Sequence, residues 1–320
     1  MIFAVTNRIP DRAVELLERA GEVRQDEREA AIPRGDLLEL VAGAGAVLTL
    51  LHDRVDAELL DAAGPQLRCV ANVAVGYDNV DLAAAAERGV VVTNTPGVLD
   101  DATADLTWAL LLAATRRVAE GDRLVRSGRS WSWGMSFMLG SSLRGKLLGI
   151  VGLGGIGRRV AERGRAFGMR IAYHSRRPAP AEATAALEAE RMPLERLLAE
   201  ADVLSLHCPL TPETRHLIGA PELEAMKESA VLVNAARGPI VAERALAEAL
   251  AAGTIAAAGL DVYEHEPQVE PRLLELDNVV LAPHLGSATV ETRTAMAELA
   301  ARNAISVLRG QGPLTPVASQ

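Results

Sequence analysis

Arg237, Glu266 and His284 each follow a short apolar run: Ala230–Asn234, Ile255–Val262 and Asn278–Leu281. Such runs read as buried parallel strands, and ligands bind outside the carboxyl ends of parallel strands. An Arg at a strand end, followed by Gly238, is placed to hold a carboxylate. Asp261 and the segment Tyr263-Glu264-His265-Glu266-Pro267 supply one or two acids. His284, in Pro283-His284-Leu285-Gly286, supplies a group that exchanges a proton near neutral pH. Each signal alone is weak, because strand-end histidines are commonly structural and acidic loops commonly solvated. Together they give a carboxylate clamp, a proton donor and an acid that keeps the donor charged. A hydride-transfer site needs that set.

The element that would hold a hydride carrier lies upstream. Leu147–Val151 is an apolar run that leads into Gly152-Leu153-Gly154-Gly155-Ile156-Gly157, a G-x-G-x-x-G pattern. Arg158–Gly168 then reads as a helix ended by Gly168. Strand, glycine turn and helix together make a dinucleotide-binding fingerprint. Gly152 permits the tight turn, Gly154 lets backbone approach a pyrophosphate, and Gly157 lets the helix sit close on its strand. The pyrophosphate would face the helix N-terminus.

About 20 residues past the glycines, an NAD site places an acid on the ribose 2′-hydroxyl. Here the segment is His174-Ser175-Arg176-Arg177, with no acid. A guanidinium suits a 2′-phosphate, so NADP(H) is expected over NAD(H), with NAD(H) still possible. The alternative is that Arg176 and Arg177 are solvated surface charges. After the next strand come His207-Cys208-Pro209-Leu210-Thr211-Pro212, a proline-fixed loop for one end of a dinucleotide. His207 reads as a packed strand-end histidine.

These strand ends need a scaffold. Strands are expected at Ile2–Thr6, Ala46–Leu50, Leu67–Val73 and Val90–Thr93, alternating with helices at Asp11–Ala20, Gly35–Val41, Asp56–Ala63 and Asp81–Arg88. Asp100–Val118 reads as one long apolar helix, and Trp131–Gly140 as a loop rich in large apolar groups. That loop either pads a domain junction or contacts another subunit. A second series adds strands at Arg170–His174 and Asp202–His207 and helices at Leu194–Ala199, Pro221–Lys227 and Glu243–Ala252. Thr289–Arg309 reads as one long helix returning to the first domain. The fold class is thus α/β: two Rossmann-like doubly wound parallel-sheet domains. The substrate domain is discontinuous (1–97 and 286–320) around a dinucleotide-binding domain (98–285).

Composition narrows the function classes. The chain has 320 residues, 49% of them hydrophobic, and a formal net charge of −9. No basic block suggests nucleic acid. No apolar run approaches the ~20 residues of a membrane span, and Met1–Thr6 lacks signal-peptide anatomy. Cys69 and Cys208 form no metal-like cluster, so no metal is expected; they read as buried thiols of a cytoplasmic protein.

Further motifs carry a resemblance. They are Val73-Ala74-Val75-Gly76-Tyr77-Asp78-Asn79-Val80-Asp81, Thr95-Pro96-Gly97-Val98-Leu99, the glycine fingerprint, Asn234-Ala235-Ala236-Arg237-Gly238, Gly259-Leu260-Asp261-Val262, Glu266-Pro267 and Pro283-His284-Leu285-Gly286-Ser287-Ala288-Thr289. Essentially end to end, the chain resembles the D-isomer-specific 2-hydroxyacid dehydrogenases, most closely their glyoxylate/hydroxypyruvate reductase branch. The resemblance implies NADPH-preferring reduction of glyoxylate and hydroxypyruvate to glycolate and D-glycerate. It makes His284 the general acid, Glu266 the partner that raises its pKa, and Arg237 the carboxylate clamp. The N–H groups of Val75 and Gly76 complete the carboxylate grip, Leu51 touches substrate, and the site closes between two domains. Asp261 lies near the nicotinamide amide. Gly152, Gly154, Gly155, Ile156, Gly157, Ser175, Arg176, Arg177, Cys208, Pro209, Thr214, Ala235, Ala236, His284 and Gly286 also contact the cofactor. A homodimer is implied, with Trp133 reaching into the partner's site and limiting substrate size. Within the class, the alternative is a broader dehydrogenase of larger 2-oxo acids. Outside it, the alternative is a dinucleotide-sensing corepressor-like binding protein, disfavoured by the intact Arg237, Glu266 and His284.

Overall fold

Strands buried on both faces set the architecture. In the computed structural model, which describes residues 1–317, the chain forms two α/β units, one of them discontinuous. Residues 318–320 of the expected second segment lie outside the described residues. The first unit comprises Met1–Leu99 and the segment from Ser287 onward. Its elements are β1 (Ile2–Val5), α1 (Asp11–Glu18), β2 (Glu22–Gln25), α2 (Arg34–Val41), β3 (Ala46–Thr49), α3 (Ala57–Ala63), β4 (Cys69–Asn72), α4 (Leu82–Glu87) and β5 (Val91–Thr93). The second unit, Asp100–Gly286, holds α5 (Asp100–Thr115), α6 (Val118–Arg126), β6 (Leu147–Val151), α7 (Gly155–Ala166), β7 (Arg170–His174), α8 (Ala181–Leu187), β8 (Glu190–Arg191), α9 (Leu194–Glu200) and β9 (Val203–Leu206). It continues with α10 (Ala220–Glu224), β10 (Val231–Asn234), α11 (Glu243–Ala252), β11 (Ala257–Leu260), α12 (Pro271–Glu275) and β12 (Val279–Leu281). Helix α13 (Val290–Leu308) belongs to the first unit.

In the first unit the sheet order is β2-β1-β3-β4-β5, all parallel. That is one of the two common doubly wound orders. Helix α13 packs on α1 and on β3, β4 and β5, as expected for a helix that returns. It starts on Thr289, whose side chain accepts the Thr292 N–H.

The second sheet runs β12-β11-β10-β9-β6-β7-β8, again all parallel. Strands β6 and β9 are neighbours although far apart in sequence, which places the topological switch point between them. Leu148 and Ile150 are completely buried. Full burial of such a side chain contributes about 1.5–3 kcal/mol relative to exposure.

The expected helix Asp100–Val118 is instead two helices, α5 and α6. Arg117 breaks it with a left-handed φ of 55°. Helix α5 is covered along most of its length and packs on α7, β10 and β11. Helix α6 has no buried residue. Among the described residues, no helix is long and apolar enough to cross a membrane.

Candidate active site

The glycine turn after β6 is shaped by close approach. Gly152 has φ +97°, and a Cβ there would lie 2.7 Å from the backbone of His207 and Cys208. Its N–H donates to His174 O at 2.8 Å. So one glycine lets β6, β7 and β9 end side by side. A Cβ on Gly157 would overlap the Gly152 carbonyl, so helix α7 sits directly on the turn. At Gly154 a Cβ would meet nothing within 4 Å. Gly154 caps α7, whose first-turn N–H groups lack intrahelical partners and carry the positive end of the helix dipole. An open backbone cradle at a helix N-terminus fits the pyrophosphate of a dinucleotide. Ile156 packs its side chain into the core beneath.

No sequence signal pointed to Asp100, yet its carboxylate occupies the place a Cβ of Gly155 would take. Burial pushes its pKa up, against the pull of Arg159 and Arg158 and with the help of Asp101. The cradle therefore carries an acid at its rim.

The segment after β7 is exposed at Arg176 and Arg177. The Ser175 hydroxyl donates to Arg177 O at 2.6 Å and closes this turn on itself. Arg191 of β8, also without a motif signal, donates to Ser175 O at 2.9 Å and to Arg176 O at 3.1 Å. The Arg176 charge acts on Cys208 and on Glu213. The expected 2′-phosphate segment therefore lies within electrostatic reach of the loop after β9. In that loop the Thr214 hydroxyl donates to Pro209 O at 2.7 Å, so it holds the loop's shape. Burial pushes the Cys208 thiol up to about 11 and His207 down to about 3. Neutral His207 pairs with the Ser205 hydroxyl at 2.7 Å, the packed strand-end histidine the sequence suggests.

The ends of β10, β11 and β12 converge. Asn234 closes β10; its amide donates to Arg237 O at 2.9 Å and its Oδ1 accepts the Ala236 N–H at 3.1 Å. Ala235 and Ala236 lie in this turn, and the Arg237 Nη1 donates to Ala236 O at 2.8 Å. Gly238 follows, where a Cβ would overlap the Tyr263 carbonyl. The absence of a side chain there presses the Arg237 turn onto the loop that carries Glu266.

Glu266 and His284 are bonded, Oε2 to Nδ1, at 2.8 Å, each about a quarter to a third exposed (30% and 25%). The other Glu266 oxygen accepts the Tyr263 N–H at 3.0 Å. Burial raises the Glu266 pKa, but His284, the Tyr263 N–H and the Arg237 charge outweigh it and hold the carboxyl below 4.5. The motif Glu264-His265-Glu266 left open which acid serves; Glu264 pairs with His216 instead. Glu243, nearly buried, accepts the N–H groups of Glu264 and Glu270, both at 2.6 Å, and anchors the loop from beneath.

Asp261 is 1% exposed. Its oxygens accept the N–H groups of Leu285 at 2.6 Å and Gly286 at 2.8 Å, and its carbonyl accepts the His284 N–H at 2.8 Å. These three bonds hold His284 at a left-handed φ of 54°. Burial raises the Asp261 pKa, opposed chiefly by the Leu285 N–H and the His284 charge.

A pH experiment reads the pair. A native carboxyl held below its ordinary 4.5 contributes stability that is complete above that value. The contribution fades as pH falls through the lower native value. The Tm advantage of the wild type over Glu266→Gln is therefore expected to shrink on acidification below about 4.5. Thermal melts across the acid range check it; a constant difference overturns it.

In the first unit, Val75 and Gly76 are partly exposed in the loop after β4, and Leu51 is exposed in the turn after β3. Trp133 is 77% exposed in the loop between α6 and β6, where Trp131 and Phe137 stack with centroids 6.0 Å apart. No cluster of His, Cys, Asp or Glu that could hold a metal ion occurs among the described residues.

A doubly wound sheet with a glycine cradle at its switch point, and Arg, acid and His at later strand ends, defines a nicotinamide-dependent dehydrogenase fold. Residues 108–286 match the family model described as D-isomer specific 2-hydroxyacid dehydrogenase, NAD binding domain. Relatives named glyoxylate reductase include that of Aeropyrum pernix, 52% identical, covering 97% of this chain and 93% of the relative. That of Thermococcus litoralis is 50% identical, covering 97% and 94%. A solved NADPH-dependent glyoxylate/hydroxypyruvate reductase from Sinorhizobium meliloti, in complex with NADP and malonate, is 38% identical. It superposes with a TM-score of 0.85 over 99% of this chain and 96% of that one. The chain belongs to the D-isomer specific 2-hydroxyacid dehydrogenase family, in the branch of the enzymes named glyoxylate reductase.

Proposed function

We propose that the protein reduces glyoxylate and hydroxypyruvate to glycolate and D-glycerate, with NADPH preferred over NADH. The His284–Glu266 pair beside Arg237, on strand ends of the dinucleotide sheet, carries this reading. The cradle at Gly152, Gly154 and Gly157 would hold the pyrophosphate of a nicotinamide dinucleotide, which would supply a hydride for the substrate carbonyl carbon. His284 gives its Nε2 proton to the carbonyl oxygen, since Nδ1 is engaged by Glu266. The Glu266 carboxylate offsets the imidazolium charge before transfer. Arg237 holds the substrate carboxylate and polarises the carbonyl. In the first unit, the N–H groups of Val75 and Gly76 serve as carboxylate donors. In the reverse direction His284 is the base. Asp261 fixes the His284 loop and borders the nicotinamide end, with Ala235, Ala236 and Gly286 beside it. The exposed Trp131–Gly140 loop supports a homodimer in which Trp133 of one protomer limits substrate size in its partner's site.

The cofactor preference rests on Arg176, whose side chain is exposed and has no ion-pair partner among the described residues. The relative crystallised with NADP supports the same preference. Arg176→Ala is expected to raise KM for NADPH about tenfold and leave KM for NADH nearly unchanged, the effect of losing a charge-assisted phosphate contact. Steady-state rates on glyoxylate and hydroxypyruvate with both cofactors check both parts. Equal effects on the two cofactors overturn 2′-phosphate recognition; negligible turnover of both acids overturns the substrate assignment.

A further inference from the structure

Ala74, Val75 and Gly76 follow β4, and each of their carbonyls has its own donor. The Thr95 N–H donates to Ala74 O at 2.9 Å. The Asn94 amide donates to Val75 O at 2.8 Å, and the Asn72 amide to Gly76 O at 2.8 Å. Asn72 is the last residue of β4, and Asn94 follows β5, its neighbour in the sheet.

In a trans peptide the C=O and the next residue's N–H point in opposite directions. Tying back the Ala74 carbonyl therefore turns the Val75 N–H away from the strand ends. Tying back the carbonyls of Val75 and Gly76 does the same for the N–H groups of Gly76 and Tyr77. None of these three N–H groups donates to a described protein atom. Successive outward N–H groups make an anion-binding concavity.

Both asparagines are themselves held. Asn72 Oδ1 accepts from the Thr49 hydroxyl at 3.0 Å and from the Asn79 amide at 3.2 Å. Asn94 O accepts the Thr315 hydroxyl at 2.6 Å, and the buried Asn303 amide donates to that hydroxyl at 2.8 Å. So the Asn72 amide cannot rotate away without breaking a bond made from β3, and the backbone that carries Asn94 is pinned by the segment after α13.

We infer that Asn72 and Asn94 are positioning residues of the carboxylate-binding loop, Asn94 aiming the Gly76 N–H and Asn72 adding the Tyr77 N–H as a further donor. The inference rests on the reading of Val75 and Gly76 as substrate donors. Asn94, half-exposed, is the safer residue to change. Asn94→Ala removes one neutral hydrogen bond and is expected to raise KM for glyoxylate about tenfold. Its kcat at saturation, KM for NADPH and Tm stay near wild type. Asn94→Asp keeps the shape but sets an acceptor against Val75 O, and raises KM further. Asn72→Ser, with a shorter donor, moves KM in the same direction.

Steady-state kinetics of the full chain, with Gly76→Pro as control, tests this. Gly76→Pro deletes the N–H itself. If it raises KM for glyoxylate and the asparagine variants do not, the positioning role fails alone. If Gly76→Pro folds and leaves that KM unchanged, the carboxylate reading of the loop fails, and the inference with it. If Asn94→Ala weakens glyoxylate and NADPH alike, or lowers Tm in proportion, its role is merely structural and the inference is overturned.

Discussion

Replacing His284 with alanine is expected to lower kcat for glyoxylate reduction by about 10²–10⁴-fold, the usual loss with a general acid. The geometry leaves little room for a substitute donor. The nearest acid, Glu266, is held ionised below its ordinary pKa and cannot supply a proton near neutrality. The Tyr263 hydroxyl donates to Ala282 O at 2.9 Å, and burial pushes its pKa up. Alanine also sits poorly at the left-handed φ of 54°, so part of the loss could come from a displaced loop. His284→Asn separates the two effects, because asparagine tolerates that conformation. The asparagine variant should lose kcat as alanine does, with a smaller drop in Tm. Near-normal turnover in either variant removes His284 from proton transfer.

The strand ends that carry these residues are legible in the chain because buried parallel strands announce themselves. Strands β3, β4, β6, β9, β10 and β11 are buried throughout. The apolar runs of β10 and β11 locate the carboxyl ends that precede Arg237 and Glu266, and the shorter, partly buried run of β12 locates His284. The elements left unread lie at the sheet edges. Strand β2 is Glu-Val-Arg-Gln, and β8 is an exposed Glu-Arg pair, so neither has a hydrophobic pattern. Helix α8 buries only Leu187, and α12 only Leu273. The break at Arg117 falls within a run of good helix formers and has no glycine or proline to mark it.

Within the site, types were legible but partners were not. Nothing in Glu264-His265-Glu266 says which acid meets the histidine; His216, 48 residues upstream of Glu264, decides it. Asn72, Asn94, Arg191 and Asp100 act through backbone atoms or through proximity to glycine. Such roles leave no spacing pattern, since asparagine at a strand end is ordinary turn chemistry.

Arg237→Ala is expected to lower kcat/KM for glyoxylate by about 10²–10³-fold, the range for losing one preorganised donor at a developing oxyanion. Arg237 does two things that a free cation could not. Its Nη1 bond to Ala236 O, together with the Asn234 clamp on its own carbonyl, fixes the guanidinium plane relative to β10. Gly238 then presses this turn against Tyr263, so that the Arg237 charge helps to keep Glu266 ionised. Arg237→Lys preserves the charge but not the planar fork, and a lysine cannot hold the Ala236 carbonyl and a carboxylate in one plane. The lysine variant should therefore recover only part of the loss, mostly in kcat through the field on Glu266, while KM for glyoxylate stays high. Affinity for NADPH should be unchanged in both variants. A lysine variant with wild-type KM would show that charge alone suffices; an alanine variant with wild-type kcat/KM would remove Arg237 from substrate binding.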